Sequence, residues 1–197
     1  MKRLFVAFDI DDKLRSELEE RARKFMDELL ELREAVRWIP PERYHMTAIF
    51  LGDTEESRLP QIREAMEELD PPRKVEMQLG PPMVFPRPRD PRVLVCALTE
   101  GGKQLEAVST ALRDSLGKRE ISFDKKPFRP HLTIGYLRKR PRRVQREIAN
   151  RWLRATPEPS GRGKITRIGL YESALSPEGP TYTLLFDRLL STAMEKR

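Results

Sequence analysis

The chain has 197 residues, which is long enough for one large domain or for two small lobes with a shared core. Its 38 basic and 31 acidic residues give a net charge of +7, which suits a polyanionic partner such as RNA without identifying one. No apolar run approaches the ~18–20 residues that a membrane-spanning helix needs. Because Cys96 is the only cysteine, no intrachain disulfide can form, and we expect a protein of the reducing cytoplasm.

The first half of the sequence predicts a strand, a helix, a strand and a second helix. Residues 3–10 are rich in β-branched and aromatic side chains, which favours a strand. An amphipathic helix follows, because apolar residues recur at steps of three and four, at Leu14, Leu18, Ala22, Phe25 and Leu29. Two prolines after it forbid helix continuation. The next strand is predicted over residues 43–51, ended by Gly52 and Asp53, and a helix follows over about 57–69.

The second half repeats this order. Residues 92–98 predict a strand, and the following helix has one apolar face formed by Leu105, Val108, Ala111, Leu112 and Leu116. A strand over 129–137 and a basic helix over 142–154 come next. Two C-terminal strands, 165–171 and 181–186, flank the turn sequence S-P-E-G-P. We therefore predict a single bilobal, monomeric unit over residues 1–197, with repeat units at about 3–70 and 92–156 and a strand pair at about 165–187.

Between the two halves lies a proline-rich segment. The sequence G-P-P-M-V-F-P-R-P-R-D-P, residues 80–91, contains five prolines in twelve residues. This composition predicts a stiff connection between two lobes of one folded unit.

One nine-residue pattern occurs twice. The chain reads R-Y-H-M-T-A-I-F-L at residues 43–51 and R-P-H-L-T-I-G-Y-L at residues 129–137, and the two stretches align without a gap. They contain the only two histidines of the chain, His45 and His131, each followed two positions later by a threonine, Thr47 or Thr133. Two histidines at equivalent places of a repeat favour a functional interpretation over two unrelated structural residues.

Strand geometry predicts which of these side chains lie together. Side chains alternate across a strand, so each histidine shares a face with its threonine, about 7 Å away. The same alternation places Phe50 and Tyr136 on the opposite faces, which predicts that both pack in the core. Arg43 and Arg129, two residues before the histidines, share the histidine face if the strands extend so far. Packing of the lobes with approximate two-fold symmetry would bring the two faces together as one cleft.

Such a cleft suits phosphoryl chemistry. An imidazole has an unperturbed pKa near ~6.5, so one ring can accept a proton from an attacking water while the other donates one to a leaving oxygen. Threonine hydroxyls and arginines can bind the non-bridging oxygens. A metal site is the next alternative, but structural zinc sites usually need four ligands. Because the only cysteine lies elsewhere and the motifs contain no acidic residue, we expect no metal and no cofactor.

The two motifs H-M-T-A and H-L-T-I resemble those of the two-histidine phosphoesterase superfamily. The resemblance is strongest to the bacterial and archaeal RNA 2′,3′-cyclic phosphodiesterases, historically called 2′-5′ RNA ligases (the LigT or ThpR family). It extends through R-L-F-V-A-F-D-I, W-I-P-P-E-R-Y-H-M-T, F-P-R-P-R, P-F-R-P-H-L-T-I and L-Y-E-S-A-L-S-P-E-G-P-T-Y. It implies a bilobal α+β fold with two antiparallel sheets lining a central cleft, helices outside, and metal-independent hydrolysis of RNA 2′,3′-cyclic phosphate ends to 2′-phosphomonoesters.

The resemblance also implies roles for the motif residues. His45 would donate a proton to the departing 3′ oxygen, and His131 would accept one from the attacking water. Thr47 and Thr133 would bind the phosphate.

The chain departs from this family at one point. Relatives often follow the second motif with alanine-arginine, where this chain has Gly135-Tyr136 and places an arginine only at Arg138. We therefore consider Arg43, Arg129 and Arg138 as possible substrate contacts.

Two other functions remain open at this stage. The same chemistry would join a 2′,3′-cyclic end to a 5′-hydroxyl through a 2′-5′ bond, since only the attacking group changes. A non-catalytic RNA-binding module would use the basic surface and would not need the histidines. The basic run over residues 138–143 is either a solvated face or a track for RNA phosphates.

Overall fold

The computed structural model describes residues 1–70, 75–155, 160–174 and 179–189. Within these ranges the chain forms four α-helices: α1 (Asp12–Leu29), α2 (Leu59–Glu67), α3 (Gly102–Lys118) and α4 (Arg142–Arg154). The eight strands in the same ranges are β1 (Lys2–Ile10), β2 (Val36–Trp38), β3 (His45–Thr54), β4 (Val75–Arg87), β5 (Asp90–Glu100), β6 (His131–Leu137), β7 (Ser160–Ala174) and β8 (Thr181–Leu189). Short 3-10 turns at Leu30–Ala35, Pro41–Arg43 and Glu56–Arg58 lie between them.

All strand pairs are antiparallel, and two four-stranded halves make up the sheet. One half has the order β3-β1-β7-β8 and the other has the order β2-β6-β5-β4. The α+β class with antiparallel strands is therefore confirmed. The two predicted sheets are joined into one continuous sheet, because the long strand β7 extends beyond β1 and pairs through residues 160–165 with residues 75–79 of β4.

Each half of the sheet is completed by strands from the other end of the chain. No sequence pattern indicated β2, a strand of three residues that leaves the first repeat unit and pairs with β6 of the second. In the opposite direction, β7 and β8 add to β1 of the first unit. The residues around the two histidines therefore come from both halves of the sequence.

The proline-rich segment is not a connection between lobes, so that prediction is wrong. Residues 80–87 belong to β4, 88–89 form a turn and 90–91 begin β5; the two strands pair as a hairpin with Met83 opposite Val95 and Phe85 opposite Val93. Proline lacks the N–H that a sheet ladder uses, so it is tolerated where the ladder is irregular. The β4–β5 ladder shifts register on both sides of this stretch, next to Pro82 and next to Pro86.

The first histidine strand begins at His45, two residues later than predicted, and it also ends later. It continues through Gly52 and Asp53 to Thr54, and Gly52 has a φ of 72°. Glycine adopts a positive φ at little cost. A positive φ is typical of a residue at a β-bulge, where one strand has one residue more than its partner. Here β1 pairs Phe5 with Phe50 but Leu4 with Gly52, so the glycine allows the strand to pass the bulge.

The helices cover one face of the sheet. Leu4, Val6 and Phe8 of β1 belong to a single buried apolar cluster with the inner faces of all four helices, whereas Asp9 alternates to the other face. Trp152 of α4 is fully buried in this cluster and donates its indole N–H to the carbonyls of β4 and β5. The opposite face of the sheet is therefore left open for a binding site. No helix of the described residues is long and apolar enough to cross a membrane.

Candidate active site

Both histidines stand at the first residue of a strand, and their backbones hold them in the same way. Nδ1 of His45 lies 2.8 Å from the carbonyl oxygen of Arg43, and Nδ1 of His131 lies 2.6 Å from that of Arg129. A carbonyl oxygen only accepts hydrogen bonds, so Nδ1 of each ring carries the proton that is donated. Nε2 of each ring is then left to accept or donate a proton in the cleft.

A narrow cavity separates the two histidines. It is lined by His45, Thr47, His131 and Thr133, together with Ile39, Arg43, Tyr136 and Tyr182, and its volume is about 40 Å³. The structure thus brings together the two histidines and two threonines that the sequence singled out. A space of this size suits one phosphate group between the rings, with the nucleoside outside it.

Phe50 and Tyr136 do not lie opposite the histidines, so the prediction that they pack in the core is wrong. In β3 the residue after the threonine, Ala48, forms a bulge against β1, and Ile134 forms a bulge at the equivalent position of β6 against β5. One extra residue in a strand moves every later side chain to the other face. Tyr136 therefore lines the central cavity, and Phe50 lines the cavity next to it.

The three arginines considered from the sequence lie in different places. Arg43 lines the central cavity, and Arg129 lines a cavity beside His131. Arg138 is exposed beyond the end of β6 and lines neither of these cavities. No sequence pattern indicated Arg37 of β2, whose guanidinium carbon lies 4.8 Å from the ring centre of Tyr136.

The basic run at 138–143 leads away from the cavity. It ends in α4, which buries Ile148, Ala149 and Trp152 in the apolar cluster on the sheet face opposite to the histidines. This placement favours the interpretation of the run as a solvated surface.

Two larger cavities flank the central one and differ in character. The cavity beside His131 has a volume of about 450 Å³ and a mostly apolar lining that includes Phe50, Phe85 and Phe128. The cavity beside His45 has a volume of about 460 Å³ and a mixed lining that includes Asp9. Each is large enough for part of a nucleotide, so the phosphate-sized cavity has a different environment on each side.

A carboxylate makes the two histidines inequivalent. Asp9 of β1 stands directly opposite His45 in the β1–β3 ladder, whereas Ala97 of β5 stands opposite His131. The Asp9 carboxylate accepts hydrogen bonds from the Tyr171 hydroxyl at 2.6 Å and from Nε of Arg167 at 2.5 Å, and 13% of its side chain is exposed. The motifs are symmetric in sequence, but within the described part of the chain a carboxylate stands opposite His45 and none stands opposite His131.

Burial lowers the pKa of His45 and of His131 below the usual value of an imidazole. The hydrogen bonds to the backbone carbonyls of Arg43 and Arg129 oppose this effect, and at His45 the charge of Asp9 opposes it as well. Asp9 therefore favours the protonated form of His45, whereas burial and the nearby His131 and Arg15 favour its neutral form and keep its pKa below the usual value.

The described residues offer no cluster of three or more histidine, cysteine, aspartate or glutamate side chains that could hold a metal ion. The hydroxyls of Thr47 and Thr133 make no hydrogen bond to a described residue, so they are available to a bound anion.

Comparison with known protein families agrees with the site and the fold. Residues 10–176 match the family model described as the 2′-5′ RNA ligase superfamily. The chain belongs to this superfamily. A relative from Archaeoglobus fulgidus is 32% identical over 91% of this chain and 96% of its own length. A relative from Aquifex aeolicus is 30% identical over 93% of this chain and 94% of its own length. Both are named RNA 2′,3′-cyclic phosphodiesterase, so the family recognised in the sequence is confirmed.

Solved structures support the same fold. A protein of Thermus thermophilus, TT0787, superposes with a TM-score of 0.75 at 23% identity and covers 95% of this chain and 97% of its own. Escherichia coli LigT complexed with ATP superposes with a TM-score of 0.70 at 21% identity, covering 97% of this chain and 99% of its own. This superfamily member therefore has the LigT-like fold over nearly its whole described length.

Proposed function

We propose that this superfamily member hydrolyses 2′,3′-cyclic phosphates at RNA ends to 2′-phosphomonoesters, without a metal ion. The observation that carries the proposal is the phosphate-sized cavity with one imidazole on either side and two threonine hydroxyls along it. Its relatives named RNA 2′,3′-cyclic phosphodiesterase support this substrate class.

The two imidazoles take different parts in the reaction. Nε2 of His131 accepts a proton from a water molecule, whose oxygen attacks the phosphorus. The bond from phosphorus to the ribose 3′ oxygen breaks, and Nε2 of His45 donates the proton that this oxygen takes up. The Asp9 carboxylate favours a protonated His45, and Ala97 takes the equivalent place opposite His131, which supports this order over its reverse.

The threonines act on the charge that accumulates in the transition state. The hydroxyls of Thr47 and Thr133 donate hydrogen bonds to the non-bridging oxygens while the attacking and leaving oxygens both carry partial bonds to phosphorus. Arg43, at the edge of the same cavity, adds a positive charge.

The product distinguishes this reaction from its alternatives. When an oligonucleotide with a 2′,3′-cyclic phosphate is incubated with the protein in excess EDTA, we expect full conversion to the 2′-phosphomonoester, read by phosphorus NMR. A 3′-monophosphate would reject the proposed direction of ring opening. Activity that disappears in EDTA and returns with one particular divalent ion would reject the metal-independent mechanism.

The rate should depend on pH through both histidines. The base must be neutral and the acid protonated, so kcat/KM should follow a bell-shaped curve. Because the pKa of each histidine is lowered by burial, we expect the optimum of the free enzyme below about pH 6.5. Above its lowered pKa His45 loses its proton, which sets the alkaline limb, and below its own lowered pKa His131 gains one, which sets the acid limb.

An Asp9→Asn variant should move only one limb of this curve. Loss of the carboxylate removes a charge that raises the pKa of His45, so the alkaline limb should shift to lower pH while the acid limb stays in place. A purely structural role of Asp9 would lower the rate at every pH without moving either limb. A shift of the acid limb alone would show that the two histidines have the opposite roles.

Ligation through a 2′-5′ bond is a second candidate, favoured by one feature. The apolar cavity of about 450 Å³ lies beside His131, on the side from which the attacking group enters in this scheme. It offers aromatic surfaces to a nucleoside whose 5′-hydroxyl would take the place of water. Formation of a joined product at high concentrations of a 5′-hydroxyl oligonucleotide would support this candidate, and hydrolysis alone at saturating acceptor would reject it.

A further inference from the structure

Two arginines beside the central cavity converge with no counter-charge from the described residues. Arg37 lies on β2, and Arg43 ends the 3-10 turn before β3. An Nη1 atom of each lies 3.8 Å from the point where a Cβ on Gly179 would stand, so both guanidinium groups reach the same small region. Neither side chain forms an ion pair or hydrogen bond with another described residue. Two neighbouring positive charges of this kind form a favourable site for an anion.

Two tyrosines form the walls of this region. Antiparallel pairing sets Arg37 opposite Tyr136, and the guanidinium stacks on the phenol ring at 4.8 Å. Tyr182 of β8 packs edge-on against the ring of His45, with ring centres 5.2 Å apart. Burial raises the pKa of both phenols, and the nearby arginines oppose the rise only in part. Both hydroxyls therefore keep their protons and can donate hydrogen bonds.

Only one member of the arginine pair reaches the phosphate cavity. Arg43 lines both the central cavity and the cavity on the His45 side, whereas Arg37 lines neither. In the proposed reaction the 3′ oxygen departs towards His45, so the ribose lies on that side. The next negative charge along an RNA strand is the phosphate on the 5′ oxygen of the same ribose. Arg37 lies outside the phosphate cavity, but its Nη1 reaches the same small region as Nη1 of Arg43, which lines the His45 side, so the geometry suits this second phosphate better than the one that reacts.

We propose that Arg37, together with Arg43, forms a second anion subsite that binds the 5′-phosphate of the nucleotide carrying the cyclic end. This inference rests on the proposed function and deepens it. The planar guanidinium fork matches two phosphate oxygens at once, and stacking on Tyr136 fixes its plane. The subsite makes the protein selective for the ends of RNA strands over free cyclic nucleosides, because only a strand, or a 5′-phosphorylated nucleotide, supplies the second phosphate.

Two substrates that differ by one phosphate test the subsite. One is a nucleoside 2′,3′-cyclic phosphate with a 5′-hydroxyl, and the other is the same compound with a 5′-phosphate. At constant ionic strength we expect the unmodified protein to prefer the phosphorylated compound in kcat/KM by about 10- to 10²-fold, the usual worth of hydrogen bonds to a charged group. Arg37→Gln should abolish most of this preference by raising KM for the phosphorylated compound alone, and Arg37→Lys should retain part of it.

The matched control removes an arginine of the same region. Arg33 is exposed in the 3-10 turn before β2, and its side chain makes only a surface contact with Glu34 at 3.7 Å. Arg33→Gln changes the net charge as Arg37→Gln does, and it should keep the full preference. Equal kcat/KM of the unmodified protein for both compounds would overturn the subsite. An equal decrease in kcat/KM for both compounds in Arg37→Gln would overturn it as well. If the unmodified protein turned over neither compound, the proposed function would be rejected, and the subsite with it.

Discussion

His45→Ala and His131→Ala should each lower kcat by roughly two to four orders of magnitude, the usual contribution of one general acid or base. Each substitution removes the only imidazole on its side of the cavity among the described lining residues, and an imidazole is the group there that titrates near neutral pH. Affinity for RNA should change little, because it depends on basic side chains such as Arg43. Turnover is measured with a cyclic-ended oligonucleotide, and affinity is measured by fluorescence anisotropy with an oligonucleotide that ends in a 2′-phosphate.

A second pair of variants separates catalysis from folding. His45→Asn and His131→Asn keep a side-chain N–H that can donate to the carbonyl oxygen of Arg43 or Arg129, so they preserve the backbone contact of each ring. They lack a group that exchanges a proton near neutral pH, so they should be as inactive as the alanine variants. Full activity in any of the four variants would contradict the mechanism, and it would favour a protein that binds RNA without cleaving it.

Thr47→Val and Thr133→Val should each lower kcat/KM by about 10²-fold, as expected for loss of one donor to the developing charge. Valine has the shape of threonine without the hydroxyl, so the strand and its bulge should be preserved. The effect should be smaller than that of losing a histidine, because the second threonine and Arg43 still line the cavity and could donate to the phosphate oxygens.

The matched controls are Thr47→Ser and Thr133→Ser, which keep the hydroxyl and lose only the methyl group. They should retain activity within about 10-fold of the unmodified protein, since the donor to the phosphate remains. Serine variants as damaged as the valine variants would mean that the threonines act through packing. Valine variants with unchanged kinetics would remove the threonines from the phosphate site.

The helices and the paired motifs were predictable because their signals are local. The basic helix predicted near residues 142–154 is α4, which has these bounds. Repetition of the histidine motif predicts a shared cleft, and the structure brings His45 and His131 to one cavity. Both predictions depend only on residues a few positions apart in the sequence, or on one pattern that occurs twice.

The features that were missed depend on the partner strand. The bulges at Ala48 and Ile134 exist only in the ladder with β1 or β5, so strict alternation gave the wrong face for Phe50 and Tyr136. A bulge inserts one residue without any composition of its own.

Arg37 and Asp9 were missed for the same reason. Nothing next to them in the sequence sets them apart, and each gains its place through the residue opposite it, Tyr136 or His45. The proline-rich hairpin was mistaken for a connection because prolines usually mark strand ends, whereas here they lie beside irregular points of the ladder.

The most direct test of the two-histidine mechanism replaces the leaving oxygen by sulfur. In a substrate whose 3′ bridging oxygen is sulfur, the leaving group is a thiolate, which needs no proton because thiols ionise near ~8.5. We predict that this substrate restores turnover in His45→Ala to within about 10-fold of the unmodified protein, since the general acid is no longer required. The same substrate should leave His131→Ala inactive, because water still has to lose a proton. Rescue of His131→Ala instead, or of neither variant, would contradict the assignment of His45 as proton donor.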